Sequence, residues 1–178
     1  MTVLDSPRWL PGRSIVLARV LEAEPVVAAC RSRYDESARA GMPAHVTVLS
    51  PFLPAGRLTP DVLEELTGLV SRHRAFEVTF ARFGRFPNAL WLAPEPPQPL
   101  RALTEAIAAH WPGTPPHGGR FEEVIPHLTV ASDRSTQVYD AIEETLASTL
   151  PFTARITGLH LMVTDGANWG DRARFALG

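Results

Sequence analysis

The sequence predicts an α+β fold made by internal duplication, and three observations point to it. A short motif occurs twice, as His45-Val46-Thr47-Val48 and, 82 positions later, as His127-Leu128-Thr129-Val130. The order of elements around each copy is the same: strand, helix, histidine strand, helix, strand. The length, 178 residues, suits one domain of two small lobes sharing a core. The repeats span about 13–87 and 88–177, within a single domain covering 1–178.

Each element has a local reason. Arg13 to Val20 is mostly apolar with β-branched residues and reads as a strand. Pro25 to Ala40 reads as a helix closed by Gly41 and Pro43. The first histidine strand runs into Ser50-Pro51-Phe52. Thr59-Pro60-Asp61 is an N-cap followed by proline in the first turn, opening a helix to about His73. Phe76 to Phe86 alternates as a strand and stops at Pro87-Asn88. In the second half Ala89 to Ala93 is a strand and Leu100 to Trp111 a helix. Pro112 to Pro126 is a proline- and glycine-rich loop leading into the second motif. Ser135 to Leu150 reads as a helix, Phe152 to Thr164 as one strand, and Arg172 to Leu177 as the last strand after a turn at Asp165 to Gly170.

On a strand, side chains alternate between faces. His45 and Thr47 therefore share one face and Val46 and Val48 the other, with the same division for His127, Thr129, Leu128 and Val130. Two halves related by an approximate twofold would bring both histidines and both threonines to a central groove. Near neutral pH one imidazole can accept a proton while another donates one. Two hydroxyls can donate hydrogen bonds to the non-bridging oxygens of a phosphate. This equipment suits in-line displacement at a phosphodiester. The sequence leaves open which histidine is base and which acid.

Composition narrows the alternatives. The formal charge is −2, so no global basic field draws long nucleic acid. All seventeen basic residues are arginine. Schiff-base chemistry, a Walker-type phosphate lysine and a lysyl-nucleotide intermediate are thereby excluded. Cys30 is the single cysteine, so neither an internal disulfide nor a multi-cysteine zinc site is available. No stretch is long and apolar enough to span a membrane and no secretory pattern opens the chain, so a cytoplasmic protein is expected, and a monomer, since the internal repeat already supplies the symmetry. Neither motif has an HExxH pattern or an acidic residue at ligand spacing, so no metal and no cofactor are expected.

The paired motifs, within AHVTVLSPFLP and PPHGGRFEEVIPHLTVA, resemble the two-histidine phosphoesterase superfamily. That group includes the 2′,3′-cyclic nucleotide phosphodiesterases and the 2′-5′ RNA ligases. The resemblance implies a bilobal α+β fold, with antiparallel sheets lining a central cleft and helices outside. It makes His45 and His127 the catalytic acid–base pair, and Thr47 and Thr129 the phosphate-binding hydroxyls. It implies metal- and ATP-independent opening of a 2′,3′-cyclic phosphate to a 2′-phosphate, or the reverse 2′-5′ ligation. The expected partner is a nucleotide 2′,3′-cyclic phosphate or a short RNA end, and net acidity favours small substrates. A cyclic phosphate of ADP-ribose would present the same reacting group. The alternative is a binding module of the same fold without turnover.

Four further residues are candidates for lining the substrate: Phe52, and His117, Arg120 and Phe121 of the loop. Aromatic rings can stack a base, and arginine pairs with phosphate bidentately. Phe52 suits the core equally well. Trp91 is expected in the core, His160 in a structural position, and Arg134 as an ordinary surface arginine.

Overall fold

In the computed structural model, which describes residues 9–120 and 123–178, eight strands form one sheet, and four of the five helices contribute to the core on one of its faces. The strands are β1 (Ser14–Arg19), β2 (His45–Leu49), β3 (Phe76–Phe86), β4 (Ala89–Glu95), β5 (Leu128–Ser132), β6 (Phe152–Ile156), β7 (Gly158–Thr164) and β8 (Trp169–Ala176). The helices are α1 (Glu24–Tyr34), α2 (Glu36–Arg39), α3 (Pro60–Val70), α4 (Gln98–His110) and α5 (Thr136–Leu146). The spatial order is β6-β3-β4-β5-β2-β1-β7-β8, with every neighbouring pair antiparallel, and the sheet curls into a half-barrel. The α+β class and the antiparallel cleft are as expected.

The two histidine strands are central neighbours. β2 and β5 pair at Val46 and Leu128, and β1 and β4 flank them on either side. The approximate twofold therefore passes between Val46 and Leu128. The halves exchange strands about this axis: β3 pairs with β4 and β6, while β7 and β8 pair beyond β1.

The helical face holds the main core. Val46, Val48, Leu128 and Val130 pack there with Leu100, Leu103 and Ile107 of α4 and with Tyr139 and Ile142 of α5. Thr104 is buried in α4 and donates its hydroxyl to the Val48 carbonyl at 2.7 Å, tying the helix to β2. The opposite face has its own small apolar cluster, Ile15, Leu17, Met42 and Met162, with Trp169 against it. β1 is thus covered on both sides, which explains its unbroken apolar run.

Some boundaries differ from the pattern. The expected helix 25–40 breaks at Asp35, which takes an extended conformation (φ −127°, ψ 112°). Its carboxylate accepts from the Ser37 N–H at 3.0 Å and so caps α2. The expected strand 152–164 divides at Thr157, because β6 pairs with β3 at one end of the sheet and β7 with β1 in the other half. β8 begins earlier, at Trp169, which pairs with Thr164 across the hairpin. α5 ends at Leu146, and a single 3-10 turn carries the chain to Thr149.

Gly84 sits opposite Trp91 across β3 and β4, and a Cβ there would collide with the indole ring. Gly84→Ala is expected to displace Trp91 and cost about 1–3 kcal/mol by overpacking. Chemical denaturation reads the loss, and a stability equal to wild type would show that the ring relocates freely.

Candidate active site

Antiparallel register converts the two motifs into a quartet. With Val46 opposite Leu128, His45 falls opposite Thr129 and Thr47 opposite His127. Each imidazole therefore faces the hydroxyl of the other motif, and the histidines lie on the diagonal, about 7–8 Å apart at their backbones. All four side chains are half-buried, while the alternating Val46, Leu128 and Val130 are 0% exposed. The apolar positions anchor the strands and so fix the polar ones. No hydrogen bond to another described residue engages the Thr47 or Thr129 hydroxyl.

The imidazoles are oriented alike. His45 Nδ1 lies 2.7 Å from the Pro43 carbonyl, and His127 Nδ1 lies 2.7 Å from the Ile125 carbonyl. A carbonyl only accepts, so both Nδ1 atoms carry hydrogen and each neutral ring keeps its lone pair on Nε2. Proline at 43 and at 126 stiffens each approach to its motif.

The surroundings of the two rings differ. Behind His45, Arg31 and Asp35 form a buried ion pair, with Arg31 Nη2 3.0 Å from Asp35 Oδ2 and Nε 3.2 Å away. Arg31 Nη2 also donates to the Met42 carbonyl at 3.2 Å. The Ala44 N–H donates to Glu24 Oε1 at 2.7 Å. The segment that presents His45 is therefore held from α1 at both ends. Burial pushes the His45 imidazole down to about 4, and the Arg31 charge adds to the effect. His127 instead packs against a pair of contacting aromatic rings, Phe86 at 5.0 Å and edge-on, Trp91 at 5.9 Å. Burial lowers its affinity for a proton too, with a contribution from His117.

His45 and Thr129 line a cavity of about 420 Å³ together with Arg13, Tyr34, Arg134 and Trp169. A second cavity of about 670 Å³ shares Arg13 and Ser50 with the first, and contains Phe52, His117 and Arg120. The loop candidates thus gather beside the quartet, across a wall made by Arg13 and Ser50. His117 adopts a left-handed conformation (φ 51°) and donates its N–H to the Ser50 carbonyl at 2.7 Å. Phe52 is 4% exposed and packs edge-on to Trp111 at 5.1 Å, so only its rim reaches that cavity. Phe121 lies outside the described residues. Arg134, read from sequence as a surface arginine, lines the first cavity, and Trp91, read as core, touches His127. Arg13, Tyr34, Asp35 and Trp169 carry no sequence signal linking them to the motifs; only the curl of the sheet brings them together. Among the described residues no three His, Cys, Asp or Glu side chains gather as a metal site. No helix of the described residues is long and apolar enough to cross a membrane.

A half-barrel presenting two His-x-Thr strands side by side is the architecture of the two-histidine phosphoesterase class. A family model of the 2′-5′ RNA ligase superfamily matches residues 19–168, and the chain belongs to that superfamily. Among solved structures, E. coli LigT complexed with 3′-AMP is 20% identical, with a TM-score of 0.60 over 94% of this chain and 99% of its own. TT0787 of Thermus thermophilus is 19% identical, with a TM-score of 0.61 over 92% and 97%. E. coli LigT complexed with NADP+ is also 19% identical, with a TM-score of 0.58 over 95% and 99%. These likenesses establish the shared fold. No curated protein matches the chain significantly by sequence.

Two consequences can be measured. Arg31→Met leaves Asp35 buried without its cation and is expected to cost about 3–5 kcal/mol in denaturation. An unchanged midpoint would mean that Asp35 finds another partner. The second concerns pH. His45 binds a proton less readily folded than unfolded, so its contribution to stability is complete above its ordinary value of 6.5 and is lost as pH falls toward about 4. Unfolding free energies measured from pH 7 to 4 should fall more steeply for wild type than for His45→Gln. Parallel curves would refute the burial effect.

Proposed function

We propose that the chain is a phosphodiesterase that opens 2′,3′-cyclic phosphates on nucleotides or short RNA ends. The observation that carries this reading is the quartet: two imidazoles on a diagonal, each with Nε2 available and each facing a threonine hydroxyl. A phosphate between them receives hydrogen bonds from Thr47 and Thr129. A neutral imidazole takes the proton of the attacking water as its oxygen bonds to phosphorus. The opposing imidazolium gives a proton to the departing 3′ oxygen as the P–O3′ bond breaks, leaving a 2′-phosphate and a 3′-hydroxyl. With a 5′-hydroxyl as nucleophile in place of water, the same P–O3′ cleavage would yield a 2′-5′ linkage; in the reverse direction the 3′-hydroxyl attacks, the 5′ oxygen leaves and the two histidines exchange roles. Burial favours the neutral rings, so the doubly negative character developing at the phosphate must draw the proton onto the acid histidine. Each Nδ1–H held by a carbonyl steadies the imidazolium as it forms. No step requires a metal or ATP.

The arginines of the cavity suit the same substrate. Arg13 and Arg134 supply planar donors for phosphate oxygens, and Trp169 and Tyr34 supply faces for a base. That LigT was crystallised with 3′-AMP, NADP+ and ATP supports a nucleotide in this cleft. A monomer suffices, since both histidines come from one chain.

The test is hydrolysis of adenosine 2′,3′-cyclic phosphate in EDTA, with chromatography that separates 2′- from 3′-monophosphate. Wild type should produce the 2′-phosphate, and His45→Ala and His127→Ala should each abolish turnover. Thr47→Val should slow it by about 10²-fold, as for other lost transition-state donors. Binding without turnover on both a mononucleotide and a short RNA would favour the non-catalytic module. Activity lost in EDTA and restored by a metal would overturn the mechanism.

A further inference from the structure

A second group of charges lies on the cleft face, beyond the quartet. Arg19 of β1 sits opposite His45 of β2, His160 of β7 sits opposite Leu17, and Arg174 of β8 sits opposite His160. The three basic side chains converge on one carboxylate. Asp171 Oδ2 receives Arg19 Nη1 at 3.3 Å and Arg174 Nη2 at 3.2 Å, while its Oδ1 lies 3.3 Å from His160 Nδ1. Counting His160 as neutral, two guanidiniums meet one carboxylate and a positive charge is left over. A purely structural tie between β1 and β8 needs one arginine.

The remaining donors face a cavity of about 450 Å³ lined by Arg19, Arg155, His160 and Arg174. Asp171 is not among its lining residues, so it holds the cations together without presenting its own charge to the space. Glu22 is the one carboxylate on the wall, and it accepts the Arg155 N–H at 3.1 Å. Arg19 Nε is buried and has no hydrogen-bond partner among the described residues. At the rim stands Leu21, 69% exposed, an apolar surface beside a polar site.

We propose that Arg19, His160 and Arg174, braced by Asp171, form a second anion site that binds a phosphate group. Forked guanidiniums held at fixed separation match the several oxygens of phosphate better than a point charge does. Asp171 supplies the preorganisation, since without it the two guanidiniums would repel each other. Leu21 would lie against the nucleoside or other apolar group that carries the phosphate. Arg19, His160 and Arg174 lie one, two and three strand spacings from β2, about 5–14 Å across the sheet. At those distances the site can hold a remote phosphate of a bound substrate or the phosphate of a separate nucleotide. The first source rests on the phosphodiesterase reading, whereas the anion site itself does not.

The experiment is a titration of the ¹⁵N-labelled protein with inorganic phosphate, following the Arg19 Nε–H and the His160 ring by NMR. Saturable shifts at both are expected, and Arg174→Met should weaken the binding they report by about tenfold, the loss of one charge-assisted hydrogen bond. Arg174 is 68% exposed at its side chain, so the variant should fold. No shift at Arg19 and His160, or shifts indifferent to Arg174→Met, would overturn the site. A kinetic comparison separates the sources, using kcat/KM for a trinucleotide ending in a 2′,3′-cyclic phosphate over that for the mononucleotide. If the ratio falls about tenfold in Arg174→Met, the phosphate belongs to the substrate. An unchanged ratio, with the NMR shifts intact, assigns the site to a separate ligand. Turnover of neither compound would count against the phosphodiesterase reading, while the titration still decides the anion site.

Discussion

Everything at the cleft depends on one strand pairing, that of β2 with β5 at Val46 and Leu128. The register there decides which side chains meet. A slip of one residue in either strand would turn its histidine into the helical core and its apolar face toward water. What prevents the slip is burial: Val46, Leu128 and Val130 are completely enclosed, and Thr104 fastens α4 to the Val48 carbonyl. The apolar half of each motif is thus as necessary to the site as the polar half. Reading the motif only as a histidine and a threonine misses why they are in place.

Symmetry of the backbone does not extend to the environment. His45 is reached through a segment that Arg31 and Glu24 hold from α1, whereas His127 follows a loop and leans on Phe86 and Trp91. One ring is governed by a buried ion pair and the other by aromatic contacts. Proton affinity is lowered in both, by burial first, but a fixed cation acts beside His45 alone. Duplication supplied two equivalent positions, and the helices and loops packed around them made the positions unequal.

The quartet itself was legible in sequence because a strand's period of two is local information. His45, Thr47, His127 and Thr129 share a face for reasons contained in four residues each. The strand order was not legible, since the exchange of β3 against β7 and β8 is decided by pairing between distant segments. Thr157 illustrates the limit: nothing in the run 152–164 announces that its two parts belong to opposite ends of a sheet. Asp35 is a milder case. An aspartate after a helical stretch is an ordinary capping residue, but its pairing with Arg31 depends on both being buried. Arg134 and Trp169 reached the cavity by the curl of the sheet, a property of the whole fold.

The exchange of strands has a mechanical consequence. Because β3 completes the half that contains β4 and β5, and β7 and β8 complete the half that contains β1 and β2, neither repeat closes a layer from its own residues. Each half is scaffolding for the other, like two hands with interlocked fingers. Pulling one repeat out of the sheet would strip hydrogen-bonding partners from β1, β3 and β4 at once, whereas across the twofold itself the halves of the sheet meet only where β2 pairs with β5. The spacing of two histidines contributed by opposite repeats is thus set by strand pairing within the sheet.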